Sequence, residues 1–275
     1  MRKRIITGAI LGVIMIFGLL FKLESALLIC TIILVFSTLE WITLFLKQNS
    51  NFQNSSILFS FIIWLGLILL NYFGIIHLPQ IVIQLIYLVQ ITFFLVFIQL
   101  TFNSDASLLT IKTLYYIPYI FLPILILCLF LIQDFSPNSK WIMCFIAMNW
   151  SNDVFAYFVG RKIGRTPLAI TISPKKTREG AFGGLLGAIL CGLLLNNYFL
   201  NEKMSIPFIL ILSILIWIFG TIGDLFESKL KRIIQVKDSG TLLPGHGGFL
   251  DRFDSFLFII PIGIICIYLL QLIKL

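Results

Sequence analysis

Carboxylates and cations crowd the second half of this chain, in a pattern that suits chemistry on phosphates. The densest stretch runs Gly223-Asp224-Leu225-Phe226-Glu227-Ser228-Lys229-Leu230-Lys231-Arg232, then Lys237-Asp238-Ser239-Gly240. It ends Pro244-Gly245-His246-Gly247-Gly248-Phe249-Leu250-Asp251-Arg252-Phe253-Asp254. A helix continued through the first part sets Asp224, Ser228, Lys231 and Gln235 within about 40° of one line, at 100° per residue. Pro244 and the glycines beside it break that helix and permit a tight return. The return brings Asp251, Arg252 and Asp254 to the edge of the next apolar run. Asp224 and Asp251 are therefore expected at one depth from two adjacent helices, with Asp153 as a possible third. Such a set suits a hard divalent cation: Mg²⁺ takes one or two protein carboxylates and fills its shell with water and phosphate oxygens. Salt bridges to neighbouring Lys and Arg are the alternative, above all for Glu227 and Asp254.

Upstream, Asn149, Asp153 and Tyr157 recur every four residues and form one polar stripe on a helix. A carboxylate inside a span costs about 2.5–3.5 kcal/mol on insertion scales and rarely faces lipid. Asp153 is read as a site residue, a polar packing face being the alternative. A cationic stretch follows, Gly160-Arg161-Lys162-Ile163-Gly164-Arg165-Thr166-Pro167 and Ser173-Pro174-Lys175-Lys176-Thr177-Arg178-Glu179-Gly180. Two readings fit it equally: a polyphosphate site using point charges and free backbone N–H groups, or a basic loop resting on anionic headgroups. Gly180, Gly184, Ala188 and Gly192 then recur at the spacing that lets helices approach closely. His246 is read either as an acid/base or as a loop-organising, phosphate-contacting donor. His77 is read as a solvated loop residue, and Glu24 and Glu40 receive no role.

The elements that must position these residues are membrane helices. Apolar residues make up 59% of the 275-residue chain and charged ones 12%, against roughly half and a quarter in soluble domains. Spans are expected at about 5–21, 26–46, 57–76, 80–100, 113–132, 141–160, 180–200, 205–226 and 255–273, each near the ~20 residues a crossing needs. Pro118 and Pro123 inside one of them predict a kink. The start, Met1-Arg2-Lys3-Arg4, reads as an uncleaved first span, because no small-residue cleavage site follows. The five cysteines sit singly in apolar runs and read as buried free thiols. With nine spans, Arg2–Arg4, Lys47, Lys112 and the two basic stretches share the N-terminal side, against Lys22, Lys140, Lys203 and Lys274 opposite. The positive-inside rule then puts the N-terminus and both basic stretches in the cytoplasm. The expected fold class is all-α: a polytopic membrane protein whose residues 1–140 form an N-terminal helical region and 141–275 a catalytic region, with the site at the cytoplasmic face.

Residues 228–254 resemble the signature of the phosphatidate cytidylyltransferases (CDP-diacylglycerol synthases): S-x-L-K-R, four residues, K-D-x-G, then P-x-H-G-G-x-x-D-R-x-D. Asn152-Asp153, Ala156-Tyr157, Gly160-Arg161 and Ser173–Gly180 are similar to that family's upstream blocks; residues before about 149 match by hydropathy alone. The resemblance implies transfer of CMP from CTP to phosphatidic acid, giving CDP-diacylglycerol and pyrophosphate, with Mg²⁺ as cofactor. It implies Asp224 and Asp251 as metal-binding acids, with Lys231, Arg232, Lys237, Asp238 and His246 in the catalytic set. Substrate contacts would fall to Asp153, Tyr157, Arg161, Lys175, Thr177, Ser228, Gly247, Gly248, Arg252 and Asp254. It further implies a homodimer. Separately, a bacterial inner membrane is expected, with membrane lipids and no nucleic acid among the partners. A transferase using another lipid acceptor is the nearest rival. A secondary transporter fits less well, because the acids stand at span ends beside many bases and no inverted repeat is visible.

Overall fold

The computed structural model describes residues 2–46, 65, 66, 68, 69, 72–74, 80–102, 115–200, 204–240, 242 and 247–273. His77, His246, Pro244 and Gly245 lie outside the described residues, as does most of the span expected at 57–76. The helices are α1 (Arg2–Phe21), α2 (Leu23–Trp41), α3 (Gln80–Phe102), α4 (Leu122–Gln133), α5 (Phe135–Ile163), α6 (Arg178–Tyr198), α7 (Ile206–Ile233) and α8 (Asp254–Ile273). Among the described residues, five helical segments are long and apolar enough to cross a membrane: Leu23–Leu44, Leu85–Phe102, Phe135–Ile163, Arg178–Tyr198 and Ile206–Ile233. Three shorter apolar ones, Gly8–Phe21, Ile117–Gln133 and Asp254–Leu269, fall where spans were also expected. The expectation of a purely helical chain needs one correction. Strands β1 (Pro167–Ala169) and β2 (Ser173–Thr177) pair antiparallel between α5 and α6.

The chain divides into two compact units, residues 1–139 with 233–253 and residues 140–232 with 254–275. In the first unit, α1 and α2 form an antiparallel pair whose turn is closed by Ser25, its hydroxyl donating to the Gly18 carbonyl at 2.7 Å. α4 is buried along almost its whole length, from Pro123 to Leu131. The kink expected at the prolines is a π-helical turn, Ile117–Phe121. Gln90 of α3 donates to the Pro118 carbonyl at 2.9 Å, which satisfies a backbone acceptor where the regular ladder is interrupted. Trp41 stacks on Tyr119 with centroids 5.8 Å apart, and Thr38 hydrogen-bonds the Tyr116 hydroxyl at 2.9 Å.

In the second unit, α5 and α6 pack through the glycine-rich face of α6, as its spacing predicts. A Cβ on Gly187 would stand 2.7 Å from Cβ of Phe155, and one on Gly183 2.5 Å from Cβ of Val159. Ser151 of α5 donates to the Gly187 carbonyl at 2.9 Å. α8 meets α7 backbone to backbone at Gly223, where a Cβ would lie 2.8 Å from the Asp254 carbonyl oxygen. Helix α7 ends at Ile233, followed by a turn with Gln235 at φ 60°. Gln235 therefore does not share the helical face assigned to it, because the helix stops one half-turn short.

Candidate active site

A cavity of about 440 Å³ opens in the second unit among α5, the hairpin, the start of α6 and the Gly220–Asp224 stretch of α7. Asp153, Tyr157 and Arg161 line it from α5, Lys175, Lys176 and Thr177 from β2, and Asp224 from α7. The four-residue spacing of Asp153, Tyr157 and Arg161 is what turns all three to one side. Lys176 makes an ion pair with Asp224, each side chain about one-third exposed (32%). Ser228, one turn further on, donates to the other Asp224 oxygen at 3.3 Å. Arg161 reaches the Tyr157 hydroxyl at 3.4 Å. Two acids, three cations and several small residues thus share one partly open chamber. That combination can hold a polyanion and neutralise its charge, and its one-third-exposed pair leaves access from water.

The hairpin explains why Gly, Thr and Glu are interleaved with the bases. Thr177 is the N-cap of α6, its Oγ1 accepting from the Gly180 N–H at 3.1 Å. Glu179 accepts from the backbone N–H groups of Arg165 and Thr166, each at 3.1 Å, tying the start of the hairpin to the helix that follows it. Gly160, Gly164 and Gly180 converge on Thr177: a Cβ at Gly180 would lie 2.9 Å from the Ala156 carbonyl and 3.1 Å from Cα of Gly160. These glycines make room for backbone. The Thr177 hydroxyl, read from sequence as a substrate contact, is committed to the cap although the residue borders the cavity.

Other expected residues of this unit stand outside the lining. Lys231 is ion-paired at 2.7 Å with Glu227, a buried acid one turn back. Arg232 points its Nε at the Ile172 carbonyl, 3.4 Å away at the hairpin turn. Asp254 is buried at the head of α8, where its Oδ1 accepts from the Ser255 N–H at 2.6 Å. Sequence reading singled out Lys175 and passed over Lys176, which pairs with Asp224. Asn152, also passed over, borders the cavity, is buried, and has an Oδ1 with no hydrogen-bond partner.

The remaining signature residues belong to the first unit. Lys237, Asp238 and Arg252 are exposed there. Asp251 lies in a 3₁₀ turn, Leu250–Arg252, ahead of α8 and not on a helix of the expected kind. Its Oδ2 accepts from the N–H groups of Ser239 at 2.9 Å and Gly248 at 2.8 Å. Gly247 has a left-handed backbone, φ +84°, and a Cβ there would sit 2.9 Å from Asp251 Oδ2, so this position needs glycine on both counts. Beneath the loop lies a residue that sequence reading left without a role. Glu40 of α2 is 3% exposed and accepts from Ser239 Oγ at 2.8 Å and from the N–H groups of Phe249 at 2.6 Å and Leu250 at 2.8 Å.

The structure shows helices long and apolar enough to cross a membrane and a cavity lined by two acids and three cations, and comparison with known sequences assigns the class. The chain belongs to the cytidylyltransferase family, which it matches over residues 2–270. It is similar to the phosphatidate cytidylyltransferase of Staphylococcus epidermidis (strain RP62A), with 46% identity over 127 residues, 46% of this chain and 48% of that one. It is similar also to the phosphatidate cytidylyltransferase of Bacillus subtilis, with 50% identity over 114 residues and 41% of each chain, and to that of Staphylococcus aureus (strain COL), with 40% over 134 residues, 49% of this chain and 51% of that one. The chain thus spans about half the length of the curated relatives it matches.

Proposed function

We propose that the protein transfers CMP from CTP to phosphatidic acid, yielding CDP-diacylglycerol and pyrophosphate for phospholipid synthesis. The observation that carries this reading is the Lys176–Asp224 pair in a cavity also lined by Asp153, Arg161 and Lys175. Family membership and the names of the relatives point the same way.

The attacking group, a phosphate monoester, is largely dianionic near neutral pH, since its second pKa is about 6. No strong general base is required. The barrier is repulsion between that anion and the α-phosphoryl group of CTP, so the site must neutralise charge and hold the attack in line. Arg161 from α5 and Lys175 and Lys176 from β2 supply positive charge to the cavity. Asn152 offers a buried acceptor, and Tyr157 a hydroxyl already oriented by Arg161.

A divalent cation fits the donor set. Among the described residues no three His, Cys, Asp or Glu side chains gather as a metal-holding group, but Mg²⁺ needs only one or two carboxylates beside phosphate oxygens. Asp224 and Asp153 both border the cavity. Asp224 and Asp251 are the acids that the family signature assigns to the metal, and we keep that assignment, Asp153 standing as a further carboxylate beside Asp224. When bound, Mg²⁺ supplies positive charge at the reacting phosphates and at departing pyrophosphate.

We further place the N-terminus and the basic stretches on the cytoplasmic face of a bacterial inner membrane. Charge asymmetry supports this, and so does the substrate pair: a double-chain lipid stays in the bilayer, at about 0.8 kcal/mol per CH₂ exposed, while CTP is soluble. A homodimer is part of the same proposal. The test incubates purified protein with α-³²P CTP, Mg²⁺ and either phosphatidate or a polyprenyl phosphate. Label in a chloroform-soluble product with phosphatidate alone is expected. Label that stays in the aqueous phase overturns the reading, and label on the polyprenyl acceptor alone redirects it to another lipid.

A further inference from the structure

Two glycines of the signature loop are unexplained by backbone conformation. Neither Gly240 nor Gly248 has a positive φ; among the described residues, Gly74 and Gly247 are the glycines that do. What surrounds Gly240 is a single carboxylate, and Gly248 meets the same carboxylate together with Ser239 and the backbone of Gly240. A Cβ on Gly240 would lie 2.5 Å from Glu40 Oε1 and 3.0 Å from Glu40 Cδ, and one on Gly248 would collide with Ser239 Oγ and lie 2.6 Å from the Gly240 N and 2.7 Å from Glu40 Oε2. The same carboxylate takes three hydrogen bonds, from Ser239 Oγ, Phe249 N–H and Leu250 N–H. The last two donors stand at the head of the 3₁₀ turn that holds Asp251 and Arg252, where backbone N–H groups have no partner within the turn. Ser239 links the layers: its hydroxyl donates to Glu40 while the Asp251 N–H reaches it at 3.4 Å, and its own N–H donates to Asp251 Oδ2. Phe36 of α2 stacks on Phe249 with centroids 5.3 Å apart and seals the same contact.

From this arrangement we infer that Glu40 is a positioning residue for the transfer reaction, a buried capping carboxylate that ties Ser239–Gly240 to Gly248–Leu250, with Gly240 being glycine to admit it. The inference rests on the proposed cytidylyl transfer only for its activity readout; the loop geometry is independent of substrate. Three donors converge on two oxygens, so the site demands a full carboxylate. In Glu40→Gln the amide nitrogen must face either the Phe249 N–H or the Leu250 N–H, donor against donor in both orientations. Losing a buried hydrogen bond to a charged acceptor lowers the population of the ordered loop by about ten- to a hundredfold.

The experiment compares wild type with Glu40→Gln, Gly240→Ala and the double variant Gly240→Ala/Glu40→Asp, all purified in detergent. Turnover, thermal midpoint and amide hydrogen exchange are followed. Glu40→Gln is expected to lower kcat by about tenfold or more and to speed exchange at residues 239, 248, 249 and 250, while exchange in α5 and α7 stays at the wild-type rate. Gly240→Ala presses on the carboxylate without removing it and is expected to lose activity; shortening the acid in the double variant restores part of it. This compensation decides the matter even if Glu40→Gln fails to fold, because a residue with a general packing role gives no such rescue. Unchanged turnover and loop exchange in Glu40→Gln, or a double variant no better than Gly240→Ala, overturns the inference. If wild type itself makes no CDP-diacylglycerol yet the loop exchanges faster in Glu40→Gln, the cytidylyl-transfer reading fails and the capping role stands.

Discussion

Lys176→Ala separates charge neutralisation in the cavity from stability of the fold. The Lys176–Asp224 pair is about one-third exposed on both sides, so solvent screening limits its worth to folding to about 1 kcal/mol or less. A loss of that size moves the unfolding midpoint by only about 2–4 °C in a chain of this length. Its worth to catalysis is of another order. Removing one preorganised charge aimed at a developing anion typically costs about 10²–10³ in rate, and Lys176 stands in the same chamber as Lys175 and Arg161. The assay measures initial rates against CTP in mixed micelles of detergent and phosphatidate, alongside thermal unfolding of the same preparation. A fall in kcat/KM of about 10²–10³ with the midpoint within about 4 °C of wild type is expected. If the loss falls on kcat, Lys176 acts on charge that grows in the transition state; if on KM, it grips CTP equally before and during reaction. A variant within about threefold of wild type in kcat/KM would refute the assignment of this chamber to phosphate chemistry.

Asp224→Asn and Asp251→Asn should each abolish turnover while the protein still inserts and purifies as wild type, and chelation of wild type should stop turnover until Mg²⁺ is restored; near-normal activity of either variant in the radiolabel assay would remove that acid from the metal. Gly187→Leu should drive α5 and α6 apart at Phe155, destabilising the protein by about 1–3 kcal/mol in a denaturation series. Thr177→Val should remove the α6 cap at a cost of about 1 kcal/mol, with Thr177→Ser close to wild type; equal stability of all three would place the Thr177 hydroxyl outside the cap.

Most of the helical pattern was legible because a bilayer imposes a coarse rule: about 20 apolar residues per crossing. That rule located the helices, but not all of their ends: α5 begins six residues before its expected start, α4 begins at Leu122 where a span from 113 was expected, and α7 runs to Ile233, past the expected 226. Helical periodicity was informative at Asp153 and Tyr157, which share one wall, although Asn149 of the same stripe is not in the lining. Legibility failed where a contact is long-range. Glu40 looks like any isolated acid in an apolar helix, and its partner Ser239 is 199 residues away; a buried carboxylate signals only that donors must exist somewhere. The hairpin was missed because Ser173–Thr177 contains Pro and two Lys and lacks the β-branched alternation that marks strands. Lys231, placed in the catalytic set by the resemblance, is paired with Glu227 one turn away, a local contact that the signature does not announce.

The burial of α4 sets two rules of tolerance for one alphabet of residues. From Pro123 to Leu131 every side chain is enclosed by protein, whereas on α1 Phe17 and Phe21 are 68% and 72% exposed. A Leu-to-Ala change on the outward side of α1 trades one fluid neighbour for another, since acyl chains flow into the gap. The same exchange at Leu127 or Leu129 leaves a void that no lipid can reach, with the penalty of a cavity in a water-soluble core. Hydropathy does not say whether lipid or protein surrounds an apolar helix; a substitution scan would.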